Sequence, residues 1–496
     1  MKKLLGLVVI LAALVLGGYY GMGVVTERTV KHNLDAVNKS NGLYVKIASY
    51  DRGWFSSLAS LDWRLHVPER IVKTADGQTE TVPAQDFEMQ MPLTIYHGPV
   101  IFANNTIKFG LGYAHTDIPM PAKYNEQFTS IFTSDSTQPK LDLSMFVNYL
   151  NNSEVEIAVP SFKLIAKKGG EFSWMGMTSS VDVSSDASKI KGSFNVEGMQ
   201  FTKDDIKATV GEITTEYNLH KTNSGLYLGD ANLSFPTMLV NTKDVKTFEL
   251  TDLDVHSSCD VEGGLFHSHF KSSVDKIFAN GKTYGPGNLE MAIKNLDADV
   301  LANINQQVNN AQQGTDEQRQ QSMLAIIPEV PKLFSKGAEF EISDLSFVMP
   351  EGTVEGSLMV NLPKGDTTNP FELMQKVQGK GKLKVPADLI KLVLNESNKQ
   401  KILSQTSVDP QAQQVNESTS AVTTTSAGAS VTTTTTSTTT PDLSQQVAAM
   451  TDAQLAAMMQ SGLIVQDGSY YVVEVALNQG NLLVNSKPFN PAMMKF

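Results

Sequence analysis

From about Leu43 to Asp299 the chain breaks into short segments in which apolar and polar side chains alternate, and each break falls at Gly, Pro, Asn or Asp. A period of two residues places successive side chains on opposite faces of a strand. Turn signals every ~10 residues leave room for hairpins only, because a parallel connection needs a crossover of a dozen or more residues. VEIAVPSFKLIA (155–166), KIKGSFNVEGM (189–199), GLYLGDANLSF (225–235) and GNLEMAIKNL (287–296) carry the pattern. Lys168-Gly169-Gly170 and Asn280-Gly281 are hairpin turns, since glycine reaches positive φ without a Cβ penalty. This arrangement predicts a meander of antiparallel strands.

The period changes after Asp299. Leu301, Ile304, Val308 and Ala311 recur at helical spacing, a second helical stretch covers Gln318–Ile327, and Pro328 and Pro331 end it. EFEISDLSFVM (339–349) and TVEGSLMVNL (353–362) form a hairpin around Pro350-Glu351-Gly352. Val354, Leu358, Val360 and Leu362 share one face with Gly356, which predicts that this face is buried. GKGKLKV (379–385) is one more strand. Pro386, at a helix N1 position, opens ADLIKLVLNES, with Leu389, Leu392 and Val393 as the core-facing stripe. Thr451-Asp452-Ala453-Gln454 is a capping box for a terminal helix that presents Leu455, Met458 and Met459 and stops at Gly462. A closing hairpin follows at Asp467-Gly468, and Asn478-Gln479-Gly480-Asn481 turns into a last strand.

Two segments read as neither core strand nor core helix. Lys2 and Lys3 precede an uncharged run from Leu4 to Thr26, long enough to span a bilayer and oriented by the positive-inside rule. Tyr19 and Tyr20 read as interfacial anchors. A cleaved signal with a Leu4–Leu16 core and a Gly21-Met22-Gly23 site is the alternative. From Ser418 to Thr440 the chain holds 12 Thr and 5 Ser with no charge and no aromatic residue. Such a tract buries too little apolar surface to offset its ordering entropy, so 404–442 reads as a disordered linker.

Forty Lys+Arg against 52 Asp+Glu give a net charge of −12, which excludes a protein that coats nucleic acid. The single cysteine, Cys259, excludes an intramolecular disulfide and any multi-cysteine metal centre. No nucleophile elbow, phosphate loop or zinc-helix motif occurs, and no cofactor is implied. His256, Cys259, His267 and His269 are the metal candidates. His267 and His269 share a strand face, and a hairpin over Glu262-Gly263-Gly264 brings His256 and Cys259 near. Their loose spacing favours ordinary strand histidines over a zinc or copper site. His97-Gly98-Pro99 reads as a strand–turn–strand joint with His97 satisfied by a backbone carbonyl. Arg52-Gly53-Trp54-Phe55 reads as a tight turn with both aromatics in the core, against a membrane-proximal or ligand contact.

Taken together, these pieces resemble the YdgA-like family of bacterial envelope proteins. YDRGWFSS (50–57) is similar to its aromatic–Arg–Gly–aromatic signature and HGPV (97–100) to its His-Gly-Pro motif. KNLDADVL (294–301), the 342–358 stretch, KGKLKVPADLI (380–390) and the closing helix–hairpin follow in the family's order. Asn485-Ser486 departs from the Asn-Gly the family more often carries, and the Thr-rich tract is a second departure. The resemblance implies a single-pass protein of the bacterial inner membrane with its bulk in the periplasm, and it carries over no catalytic residue. A more distant likeness is to AsmA-like envelope proteins, whose curled sheets hold lipid.

The expected fold is α+β, mainly β: an extended antiparallel meander, curled or sandwiched, with a few packed helices and one N-terminal transmembrane helix. The expected organisation is an anchor (1–26), a β-rich domain (27–300), a helix–hairpin–helix region (301–403), the linker (404–442) and a terminal helix–hairpin on the main sheet (443–496). The expected function is non-enzymatic, with a β-groove that takes a lipid or another apolar segment. A homodimer or envelope-protein scaffold is the alternative, and a metal-dependent enzyme a remote one.

Overall fold

The structure, a computed structural model, describes residues 15–28, 30–31, 43–67, 70–73, 79–103, 106–313, 316–365, 375–406 and 443–489. One antiparallel sheet, laid down in chain order, makes up most of it. It opens with β1 (Leu43–Arg52), β2 (Ser56–Val67), β3 (Gln85–His97), β4 (Gly112–Pro119), β5 (Lys140–Val147), β6 (Ser153–Val159) and β7 (Glu171–Val183). The middle runs through β8 (Lys189–Lys203), β9 (Ile213–Lys221), β10 (Tyr227–Thr242), β11 (Val245–Glu262), β12 (Leu265–Ala279) and β13 (Gly287–Asp297). β14 (Glu339–Met349), β15 (Gly352–Asn361), β16 (Gln378–Pro386) and β17 (Tyr470–Asn478) follow. Each strand pairs with the one before it, so the meander expected from the turn spacing is continuous from β1 to β17. At ~4.8 Å per strand it extends roughly 75 Å along the hydrogen-bonding direction. The sheet runs through residue 300 without a break, because β13 pairs with β14. β16 pairs with β17 although the Thr-rich tract separates them in sequence.

The sheet is a single layer. No residue of β11, β12, β14 or β15 is fully buried. Among the described residues its clusters of buried side chains lie towards its two ends, while the middle holds only single buried residues such as Val196 and Leu228. Helix α1 (residues 15–28) lies on the first strands. α2 (Asn125–Ile131) follows β4, and α3 (Ala298–Gln313), α4 (Asp316–Ile326) and α5 (Val330–Leu333) connect β13 to β14. α6 (Ala387–Thr406) and α7 (Leu443–Ser461) cover the last strands, where Leu455, Ile464 and Tyr471 are buried against Ala387, Ile390, Leu394 and Val473.

Several local expectations change. Leu392 and Val393 are exposed, and the covering face of α6 is instead Ala387, Ile390 and Leu394. Pro386 closes β16 and helix begins at Ala387. Thr451 caps nothing, because α7 starts eight residues earlier, at Leu443. Its buried hydroxyl and the Gln454 carbonyl both accept from Asn398 Nδ2, at 3.1 and 2.9 Å. α6 extends helix to Thr406, past the expected linker start at 404. Gly462 ends α7 as expected, at φ 80°. Between strands Asn481–Val484 and Lys487–Pro488, the two-residue turn keeps positive φ at both Asn485 (47°) and Ser486 (66°) without a glycine.

No helix among the described residues is long and apolar enough to cross a membrane. The expected anchor lies partly outside them, at residues 1–14, and so does the Thr-rich tract from 407 to 442.

Candidate functional site: an apolar gutter and its helix-covered end

Directly opposed residues of an antiparallel pair share a face, so the pairing register can be followed across the sheet. One row runs Leu143, Ile157, Ser179, Phe194, Thr215, Leu233, Val255, Ser272, Leu289, Leu345, Gly356, Leu383 and Val473. The parallel row beside it runs Met145, Val155, Val181, Gly192, Tyr217, Ala231, Ser257, Phe270, Met291, Ile342, Leu358, Gly381 and Val475. Both are apolar apart from a few small hydroxyl residues. The intervening row, on the reverse face, is polar: Ser144, Glu156, Ser180, Ser193, Glu216, Asn232, His256, Lys271, Glu290 and Asp344. The sheet therefore carries a continuous apolar gutter on one side and a wet surface on the other.

This register settles where the metal candidates lie. His256, His267 and His269 are on the polar face, whereas Cys259 pairs with Ser268 and points to the gutter side. His256 Nδ1 contacts Asn232 Oδ1 at 2.6 Å and His269 Nε2 contacts Glu290 Oε1 at 2.9 Å. Among the described residues no three His, Cys, Asp or Glu side chains come together to hold a metal ion. The hairpin brings the strands together, but alternation separates the cysteine from the histidines.

Two sequence motifs do converge, at the end of the gutter that α1 covers. β1 ends at Arg52 and β3 at His97, so antiparallel pairing puts both motifs at the same end of the sheet. Gly53 N–H donates to the Ser56 carbonyl at 2.9 Å, making the turn, and His97 N–H donates to the Phe55 carbonyl at 3.1 Å. Trp54 and Phe55 are more than half exposed, which corrects the expectation that they fill the core. They flank α1 instead: Phe55 meets Tyr19 edge-on at 4.8 Å and Trp54 lies 5.4 Å from Tyr20. Arg52 donates to Glu27 Oε2 and to the Tyr20 hydroxyl, both at 2.9 Å. The Lys31 hydrogen bond, with the Lys31 and Arg52 charges behind it, holds the Glu27 carboxyl below the usual range, against the opposing effect of burial.

His97 is the centre of this contact. It is 0% exposed and its Nε2 lies 3.0 Å from Ser57 Oγ, itself 1% exposed. A serine hydroxyl, rather than the expected backbone carbonyl, is thus its partner. Its Nδ1 has no hydrogen-bond partner among the described residues. Burial pushes the His97 pKa down, partly opposed by the Tyr19 carbonyl and reinforced by the Arg52 charge. Tyr50, beside Ser57, is pushed up by burial. The helix fits so closely that a Cβ on Gly23 would lie 2.6 Å from the His97 ring. At Gly98 (φ 131°) a Cβ would lie 2.0 Å from Tyr19. Tyr19 donates to the Val100 carbonyl at 2.6 Å, and Thr26 to the Leu111 carbonyl at 3.3 Å. Tyr19 is therefore buried against protein rather than placed as an interfacial anchor.

Past this contact α1 roofs an apolar cavity of about 290 Å³, between Val25 on the helix, Val30 beyond its end, and Leu61, Met91, Leu143 and Val155 on the sheet. That volume lies at the small end for ligand pockets. Trp63 also lines it, and its buried Nε1 has no partner among the described residues.

Residues 1–492 match the model of a family described as bacterial protein of unknown function, DUF945. The chain belongs to that family. No curated protein and no solved structure shows significant similarity to it. The DUF945 match spans the sheet, the helix contact and both covered ends of the gutter, so it assigns no single segment the role of the site.

Sequence reasoning located Arg52–Phe55 and His97–Pro99 but not their common partner, α1. The sequence gives no sign that Ser57 partners His97 or that Tyr19 and Gly23 pack against the joint. The signal available was the parity of the two joints, which places both motifs at one end of a meander.

Proposed function

We propose that the protein is a non-enzymatic, single-pass protein of the bacterial inner membrane whose periplasmic sheet seats acyl chains on its apolar face. The gutter carries this reading. From β5 to β17 it is roughly 58 Å long, and its two rows are ~7 Å apart. Between its covered ends, from β7 to β15, the strip is roughly 38 Å long and about 500 Å² in area, as large as the apolar patches that mark binding sites on monomers. Its middle is uncovered among the described residues, and a face of that size needs an occupant. The Leu4–Thr26 run, the likeness to YdgA-like proteins and the more distant one to AsmA-like proteins support a membrane setting. The Ser57–His97 pair has the makings of a nucleophile and base. Both are sealed under α1, which favours a structural role.

Native mass spectrometry of the full chain in mild detergent, with analysis of released lipid, tests this. A defined lipid on the wild type is expected. Its loss is expected in Val255→Asp or Leu289→Asp, on the gutter, but not in Glu290→Ala, on the reverse face. A lipid-free wild-type monomer sinks the proposal, and a lipid-free dimer selects the scaffold reading, with a second copy on the same face.

A further inference from the structure

The meander puts the β1–β2, β3–β4 and β5–β6 connections side by side, as the pairings Ser57–Ile95, His97–Gly112 and Val147–Ser153 require. These connections carry large apolar side chains in the open. Trp54 is 56% exposed, Phe102 65%, Phe109 63% and Leu150 76%. The three connections are tied together: His97 N–H donates to the Phe55 carbonyl at 3.1 Å, Tyr149 donates to the Pro99 carbonyl, and Leu111 N–H donates to the Val147 carbonyl at 2.8 Å. The next two turns at this end are polar, Ser184–Ser188 and Thr222–Gly225. Three turns at the opposite end are charged, at Lys167-Lys168, Lys203-Asp204-Asp205 and Lys243-Asp244. The aromatic side chains thus surround the place where α1 meets the sheet.

The length of the N-terminal run fixes what covers them. A helix needs ~20 residues to cross a ~30 Å hydrocarbon layer. Counted from Leu4, the first residue after the lysines, ~20 residues reach Gly23. Tyr19 touches Phe55 and Val100, Tyr20 touches Trp54, and Gly23 lies against His97. A span that ends at Gly23 therefore places its boundary at the level of these turns. Aromatic side chains with an apolar body and a polar handle prefer that boundary.

We infer that Trp54, Phe55, Phe102, Phe109, Tyr149 and Leu150 form a collar that sits in the interfacial layer of a lipid bilayer, with the gutter opening directly above the acyl chains. The inference rests on the membrane-anchored reading above and adds a second, sheet-borne membrane contact to it.

The experiment uses the full chain in vesicles of phosphatidylcholine and phosphatidylglycerol, with or without brominated acyl chains. With Trp63→Phe and Trp174→Phe, Trp54 is the sole fluorophore. A control replaces all three tryptophans with Phe and carries Leu11→Trp within the apolar run. A third protein carries Phe109→Trp on the same tryptophan-free background. The collar is expected to lose emission to bromine at both Trp54 and the position-109 probe, with a blue-shifted maximum. Quenching of the Leu11→Trp control without quenching at either collar position overturns the collar and leaves the anchor standing. No quenching at any of the three overturns both.

Discussion

A histidine sealed from water and paired with a serine hydroxyl is held neutral, because burial outweighs what the Tyr19 carbonyl does for the charged ring. Burial sets the His97 pKa below that of the unfolded chain, which is near ~6.5. The neutral ring's contribution is thus fully present above about pH 6.5 and is lost as pH falls toward the folded-state value. Thermal melts at about pH 8 and about pH 5.5 check this: the wild type is expected to lose more stability on acidification than His97→Gln. Next to it, Gly98→Ala drives a Cβ into the Tyr19 ring and is expected to cost about 3 kcal/mol, read as a lower Tm. Ser486 offers the reverse case. Its φ of 66° suits glycine, so Ser486→Gly is expected to add about 1 kcal/mol in the same assay. The His-Gly-Pro joint is legible in the sequence as a turn. What fills the space beside it is not, because Tyr19 is far away along the chain and belongs to a run whose composition reads as lipid-facing.

At the scale of elements, helices decide where this sheet has a core. Alternation in β1 to β17 is visible residue by residue, and so is Gly462 as a helix stop. The helical faces are less legible. In α6 the sequence offers Leu389, Leu392 and Val393 as readily as Ala387, Ile390 and Leu394, and only the docking of α7 selects the second set. The same docking explains Thr451. Read alone, Thr-x-x-Gln is a cap; in the fold both side chains serve Asn398, which is 0% exposed on the facing helix. Asn398→Ala leaves both acceptors unpaired, the Thr451 hydroxyl buried, and is expected to destabilise the α6–α7 pair by about 1–3 kcal/mol. Hydrogen exchange localised to residues 387–406 and 443–461, compared with wild type, measures it.

For the whole molecule, a single layer in chain order means that each strand depends on its two neighbours and little else. Stability then resembles that of a repeat array, a sum of local terms. The covered ends are expected to be the most protected against hydrogen exchange, and β11 and β12 the least protected of the long strands. Uniform protection across the sheet would show an occupant or partner on its middle. The meander itself is legible from turn spacing. The gutter is not visible in any one segment, since each strand alone shows only an apolar side. It emerges from the register that carries the apolar side of one strand onto that of the next, past bulges such as the one near Trp174–Met177.

Chain order has one more consequence, for biosynthesis. A polypeptide that is threaded out amino end first can complete every pairing from β1 to β16 as it emerges, with each new strand arriving beside a finished template. The exception is the strand Gln378–Pro386, whose outer neighbour begins only at Tyr470. Until the ribosome has supplied that last hairpin, nine residues of backbone donors and acceptors stand open at the growing edge. A product shortened anywhere in between keeps that edge, so the sheet stays open to a foreign strand until the one beginning at Tyr470 has paired.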